Sequence, residues 1–166
     1  MRQKEDTWFE DAVQVGDEVY ILRWMRKKGY TGYYTYRVKM DNGQTLSMDI
    51  CKYLPENYET SKIAIWSVIL SVSTKRKRGY EFLKQTGKNG LTSLLIAKEI
   101  LKYHIREIIG RDKYYDHVIA VQWDDRARMR AYERGLRDLG FAIIEKASFG
   151  KMNYGKFLVK RIVKQC

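Results

Sequence analysis

Polar and hydrophobic residues alternate in three stretches near the start of the chain. The first is Val19-Tyr20-Ile21-Leu22-Arg23-Trp24, the second covers residues 33–40 and the third residues 44–50. A period of two sends successive side chains to opposite faces, so each stretch predicts a strand. Asp41-Asn42-Gly43 separates the last two. Asn and Gly both tolerate positive φ, which predicts a tight hairpin turn. Leu54-Pro55-Glu56-Asn57-Tyr58 reads as a connection.

Residues 63–73 form a longer strand pattern. Ala64, Trp66, Val68, Leu70 and Val72 make one apolar face. The other face, Ile63, Ile65, Ser67, Ile69, Ser71 and Ser73, begins apolar and ends small and polar. This predicts a central strand covered on both sides, with its C-terminal end opening towards a site. Residues 91–109 then change to helical spacing, with Leu91, Leu94, Leu95, Leu101, Ile105 and Ile108 on one stripe and Gly110 as the stop. Residues 118–121 read as a buried strand. Asp124 or Asp125 is placed to cap a second helix whose inner face holds Met129, Tyr132, Leu136 and Leu139, ending at Gly140. Residues 141–146 and 157–163 predict two closing strands joined by a loop with Gly150 and Gly155.

The resulting order is three strands, a long strand, helix, strand, helix and two strands. A strand–helix–strand crossover implies a parallel pair, and the flanking hairpins imply antiparallel neighbours. The expected fold is therefore α+β (α/β in the broad sense). Its central sheet is mixed and mostly antiparallel, with one parallel crossover and helices packed on it.

Composition narrows this picture. A chain of 166 residues, 45% hydrophobic and with a single proline, suggests one compact domain over 1–166. Residues 1–60 carry the N-terminal strands and hairpin, and residues 61–166 the remainder. The longest apolar run, near residues 63–72, is about half a membrane span, and the N-terminus lacks the pattern of a secretory signal. A soluble, cytoplasmic protein is expected, with no membrane partner. Cys51 and Cys166 are the only cysteines and offer no metal-ligand spacing, so free thiols and no metal are expected. The formal net charge of +12 favours an acidic partner, whether nucleic acid, a phosphorylated cofactor or both, although it also serves solubility.

One segment concentrates phosphate-binding features. Lys75-Arg76-Lys77-Arg78 follows the long strand, and Gln85-Thr86-Gly87-Lys88-Asn89-Gly90 runs straight into the first helix. Backbone N–H groups at a helix N-terminus and the positive end of its dipole favour an anion, and glycine permits close approach. Lys84 and Lys88 add charge.

The element order and this loop resemble the GNAT-type N-acetyltransferase superfamily over residues 63–163. The family's pyrophosphate loop reads Gln/Arg-x-x-Gly-x-Gly/Ala, and here the glycines of Gln85-x-Gly87-x-x-Gly90 are offset by one residue. Leu91-Thr92-Ser93-Leu94-Leu95 looks like the family's helix start. The helix from Arg126 through Tyr132 to Leu139-Gly140-Phe141 is similar to its tyrosine-bearing helix. The short span between Trp24 and Tyr33 would make this a reduced member, of the kind found in phages.

The resemblance implies a coenzyme-binding core over 61–166 and an acetyl-CoA-dependent N-acyltransferase acting on an unspecified amine. Ile69, Leu70, Ser71 and Val72 would face the pantetheine arm. Gly87, Lys88, Asn89 and Gly90 would cradle the pyrophosphate. Tyr132 would be the acid that reprotonates the leaving thiolate. The strand offers no carboxylate as general base, so Glu81, Asp124 or a water relayed through Ser71 or Ser73 stand as candidates.

An alternative from a different class is a basic nucleic-acid-binding or nucleic-acid-modifying protein on the same kind of fold. Arg126, Arg130, Arg134 and Arg137 line one side of the second helix, either as a solvated face or as a phosphate-tracking stripe. Tyr30, Tyr33, Tyr34 and Tyr36 crowd the hairpin and offer base-stacking surfaces, though strand propensity also accounts for them. His104 and His117 have no partner motif and are expected to be structural or superficial.

Overall fold

Two glycine turns set the start of the chain. Gly16 has a φ of 59° and closes the hairpin between β1 (Trp8–Val15) and β2 (Glu18–Arg26). Gly43, with a φ of 81°, does the same between β3 (Tyr33–Lys39) and β4 (Thr45–Tyr53). An L side chain pays for this left-handed conformation with steric strain. The Met40 N–H donates to the Gln44 carbonyl at 2.8 Å and locks the second turn. Between β2 and β3, the Lys27 N–H donates to the Tyr33 carbonyl at 2.9 Å. The computed structural model describes residues 7–30, 32–41, 43–54, 63–73, 78–79, 90–111, 116–123, 126–139, 141–149 and 152–159.

Later elements are β5 (Ile63–Ser73), β6 (Arg78–Gly79), helix α1 (Gly90–Glu107), a 3-10 turn (Ile109–Arg111), β7 (Asp116–Trp123), helix α2 (Arg126–Asp138), β8 (Phe141–Phe149) and β9 (Met152–Val159). Packing divides the chain into two compact units. One contains Met1–Cys51 and Leu70–Ile100, the other Lys52–Ile69 and Leu101–Cys166. Both β5 and α1 pass from one to the other.

In the first unit, β1 to β4 form an antiparallel meander. Direct partners share a face, so the registers Val13↔Tyr20, Leu22↔Val38, Val38↔Leu46, Tyr36↔Met48 and Tyr34↔Ile50 define the buried side. Tyr36, Leu22, Val38, Leu46 and Ile50 on that side are fully or almost fully buried, as are Ile96 and Ile100 of α1. The Ser93 hydroxyl reaches the Met40 sulfur at 3.4 Å. At the far end of β5, Val72 pairs with Gly79 of β6.

In the second unit, β5 pairs parallel with β7 from Ile63↔Asp116 to Val68↔Val121. β7 pairs antiparallel with β9, and β9 with β8, which carries a register shift between Ile143 and Glu145. The architecture is thus α+β. Its pairing is mixed and predominantly antiparallel, with one parallel crossover bridged by α1.

Several elements depart from the sequence reading. β1 is an additional strand. Its Glu10, Asp11 and Gln14 obscure the alternation, because an edge strand tolerates polar residues. The buried stripe of α1 runs through Ser93, Ile96, Ala97, Ile100, Leu101, Tyr103 and His104, while Leu95 is exposed. The expected stripe is rotated because the helix is apolar on most of its circumference, and periodicity then fails to choose a side. Gly110 is not a left-handed cap: it lies in the 3-10 turn, where a Cβ would sit 3.1 Å from the Ile105 carbonyl oxygen. The second closing strand begins at Met152, so Gly155 lies inside it, paired with Val121 and Lys146. Only one face of β5 is buried throughout its first half; on the other, Ile69 is 56% exposed.

Candidate functional site

The end of β5 and the start of α1 are the described parts of the expected coenzyme site. Leu70 and Ser71 are half-buried and Val72 fully buried, while Ile69 points to solvent. The ladder with β7 stops at Val68↔Val121, yet β5 continues to Ser73. Gly90 is the first residue of α1, and the first turn of that helix carries no acidic residue. The positive end of the dipole is therefore not offset by a carboxylate of its own turn. Gly87, Lys88, Asn89 and Glu81 lie outside the described residues, as does Asp124. Tyr132 is half-buried on α2, one turn from the buried Leu136. Leu70, Ser71, Val72 and Gly90 belong to the first unit, and Ile69 and Tyr132 to the second. Arg130, Arg134 and Arg137 are exposed along α2.

A second constellation occupies the outer face of the meander, and it was missed because its central ring, Trp8, sits on β1. Trp8 of β1 lies beneath two guanidiniums: Arg23 Cζ is 5.2 Å and Arg37 Cζ 5.0 Å from its ring centroid. Arg23 and Arg37 are direct cross-strand partners, and both are exposed. Glu10 lies 3.8 Å from Arg23 in an ion pair open to solvent, worth about 0–1 kcal/mol in such a setting. At the other end of the face, the Lys27 ammonium stands 5.0 Å from the Tyr30 ring and 5.2 Å from the Tyr33 ring. Burial, followed by the charge of Asp49, raises the Tyr33 phenol above its usual range. Thr35 donates to Asp49 at 3.0 Å. Burial also raises the Cys51 thiol, reinforced by Asp49 and opposed by Lys27. Of the hairpin tyrosines, Tyr34 and Tyr36 face the core, whereas Tyr30 is exposed and Tyr33 half-exposed.

A third group is buried in the second unit. The Trp66 indole N–H donates to His117 Nδ1 at 2.9 Å, which requires that nitrogen to be unprotonated. His104 packs edge-on against Trp66 at 4.8 Å between ring centroids. Lys52 Nζ lies 5.7 Å from the Trp66 ring. His104 is 0% exposed and Trp66 2%. Burial, then the proximity of His117, lowers the His104 pKa from 6.5 to about 3. Both histidines are therefore buried components of the fold, and the superficial alternative does not hold for either.

Among the described residues, no group of three or more His, Cys, Asp and Glu side chains gathers to hold a metal. None of the described helices is long and apolar enough to cross a membrane. No protein-family model matches the sequence, and comparisons with curated proteins and with solved structures return no match.

Proposed function

We propose that this chain is an acetyl-CoA-dependent N-acyltransferase. The observation that carries the reading is the β5–α1–β7 crossover, with a parallel ladder that ends while β5 runs on for a further five residues to Ser73. Past that ladder the extended backbone of Ile69, Leu70 and Ser71 precedes the pairing of Val72 and Ser73 with β6, and extended backbone can bond an amide-containing chain such as pantetheine. A helix that opens on Gly90 without an acidic first turn suits a pyrophosphate.

In this reading, Leu70, Ser71 and Val72 with Ile69 hold the pantetheine arm through their backbone. The amides of Gly87, Lys88, Asn89 and Gly90 hold the pyrophosphate. The acceptor amine loses a proton to Glu81 or Asp124, or to solvent through a water relayed by Ser71 or Ser73. It then attacks the thioester carbonyl, and the C–S bond breaks. Tyr132 gives its phenolic proton to the departing thiolate.

Gly90→Asp tests the reading. A carboxylate in the first turn complements the helix dipole, so the fold should be kept or slightly stabilised. The same charge opposes a pyrophosphate, and calorimetric titration with acetyl-CoA should show affinity reduced at least about tenfold, equivalent to roughly 1.4 kcal/mol. Unchanged affinity in the folded variant, or no heat of binding with the wild-type protein, would overturn it.

A further inference from the structure

We propose that the outer face of β1–β3, centred on Trp8, Arg23 and Arg37, is a docking surface for single-stranded nucleic acid. None of its residues belongs to the proposed coenzyme site, and the proposal does not depend on that reading.

The registers place Trp8, Arg23, Arg37 and Lys39 on one face of the meander, opposite the buried side. Like charges directly opposite on neighbouring strands repel. Arg23 and Arg37 hold that position and, among the described residues, only Glu10 is in ion-pair contact with Arg23. A phosphate between the two guanidiniums would remove the repulsion and supply two charge-assisted contacts. Both guanidiniums already lie against the Trp8 ring. A base can take the place of one of them on the indole, since every base has a π-face that stacks on an aromatic ring.

The face continues along β3. Tyr33 lies on the same side as Arg37, four residues away, or about 13 Å at roughly 3.3 Å per residue. There Lys27 stands against both Tyr30 and Tyr33, repeating the pairing of cation with ring. Val19 and Ile21, 66% and 62% exposed, occupy the same side of β2 and give apolar contact area. Opposed to the cations Lys27, Arg23, Arg37 and Lys39 are, among the described residues, two carboxylates on this face. Glu10 faces Arg23 and Asp49 accepts from Thr35. The face is thus net positive, in a chain of formal charge +12.

Rings available for stacking need unpaired bases, which a duplex keeps in its own stack. A sheet with alternating rings and cations therefore favours a single strand. RNA and DNA share this chemistry, and parallel titrations separate them.

The experiment is fluorescence anisotropy with labelled single-stranded RNA and DNA of mixed sequence, and with the corresponding duplex, between about 50 and about 200 mM salt. The wild-type protein should bind at least one single strand more tightly than the duplex, in a salt-dependent manner. Arg23→Gln with Arg37→Gln should flatten the log–log salt slope by roughly 1.4, two contacts at about 0.7 each for a single strand. Trp8→Ala should weaken binding roughly tenfold at every salt concentration and leave the slope unchanged. Arg130→Gln with Arg134→Gln removes the same charge from α2 and should leave the slope as in the wild type. Thermal melting confirms that each variant is folded. The proposal is overturned by absence of salt-dependent binding to either single strand, by preference for the duplex, or by equal losses in the two arginine pairs. Binding to phosphatidylserine vesicles with none to oligonucleotides would overturn it equally.

Discussion

Two tryptophans in this chain sit among cations and aromatic neighbours, and burial sends them in opposite directions. Trp66 is enclosed by His104 and His117, and its N–H is committed to His117. Water is excluded there, and the charged form of His104 is strongly disfavoured. Trp8 is half-exposed beneath the guanidiniums of Arg23 and Arg37, both open to solvent. A tryptophan thus anchors a buried knot around two histidines, with Lys52 beside it, in one unit and a charged, arginine-covered surface in the other. An aromatic–cation contact does not by itself say which; solvent access decides.

Truncation gives the sharpest break between the two. Trp66→Ala should cost about 3–5 kcal/mol, the usual range for removing a large buried aromatic, and read out as a large fall in the urea midpoint. Trp8→Ala should cost about 1 kcal/mol or less, since two exposed cation–π contacts are each worth about 0.5–1 kcal/mol and the guanidiniums regain water. Similar losses at both positions would erase the distinction.

Acid sharpens it next. His104 is neutral in the folded chain, with its pKa lowered from 6.5 to about 3. Above pH 6.5 neither the folded nor the unfolded chain protonates it, and its full stabilising contribution is present. As the pH falls below 6.5, the unfolded chain takes up a proton that the folded chain refuses. Stability should then decline by up to about 1.4 kcal/mol per pH unit until the folded value is approached. Urea midpoints between about pH 7.5 and about pH 5, compared with His104→Gln, measure this. An equal decline in the variant would place the acid sensitivity elsewhere.

The smallest effect is expected at Arg37. Arg37→Gln loses one contact to Trp8 but relieves repulsion from Arg23, so stability should change by no more than about 0.5 kcal/mol in either direction. A loss above roughly 1.5 kcal/mol in thermal or chemical unfolding would make the outer face part of the scaffold.

Local signals in the sequence were the most faithful guides. The alternation from Ile63 to Ser73 gave β5 its observed bounds, because a long uninterrupted apolar run has few alternative readings. The β3–β4 hairpin with its turn at Gly43 and the parallel crossover followed from turn chemistry and element order. β1 was hidden by its edge-strand polarity, although Gly16-Asp17 is a hairpin turn signal that marks its end. The orientation of α1 was unreadable for the opposite reason, too many apolar positions. The tyrosine pairs sorted as strand alternation requires, with Tyr34 and Tyr36 inward and Tyr33 outward. No sequence pattern points to the Trp66–His117 bond, whose partners are 51 residues apart. The Trp8 face was equally hidden, since it needs the register of three strands. Of the proposed coenzyme site, the glycine loop was legible as a motif alone, and the structure describes only its last residue, Gly90, with the neighbouring strand end.

The parallel pairing of β5 with β7 also bears on the order in which the molecule assembles. Each hairpin of the meander closes through a turn of a few residues, and such hairpins form in roughly 1–10 μs in isolation. The β5–β7 ladder must instead bring together segments separated by the whole of α1. Its loop-closure entropy has to be met before any of its contacts reward it. Formation of that ladder should therefore govern the folding rate. Weakening Val68 or Val121 would slow refolding, whereas changes around Trp8 would act on the speed of unfolding.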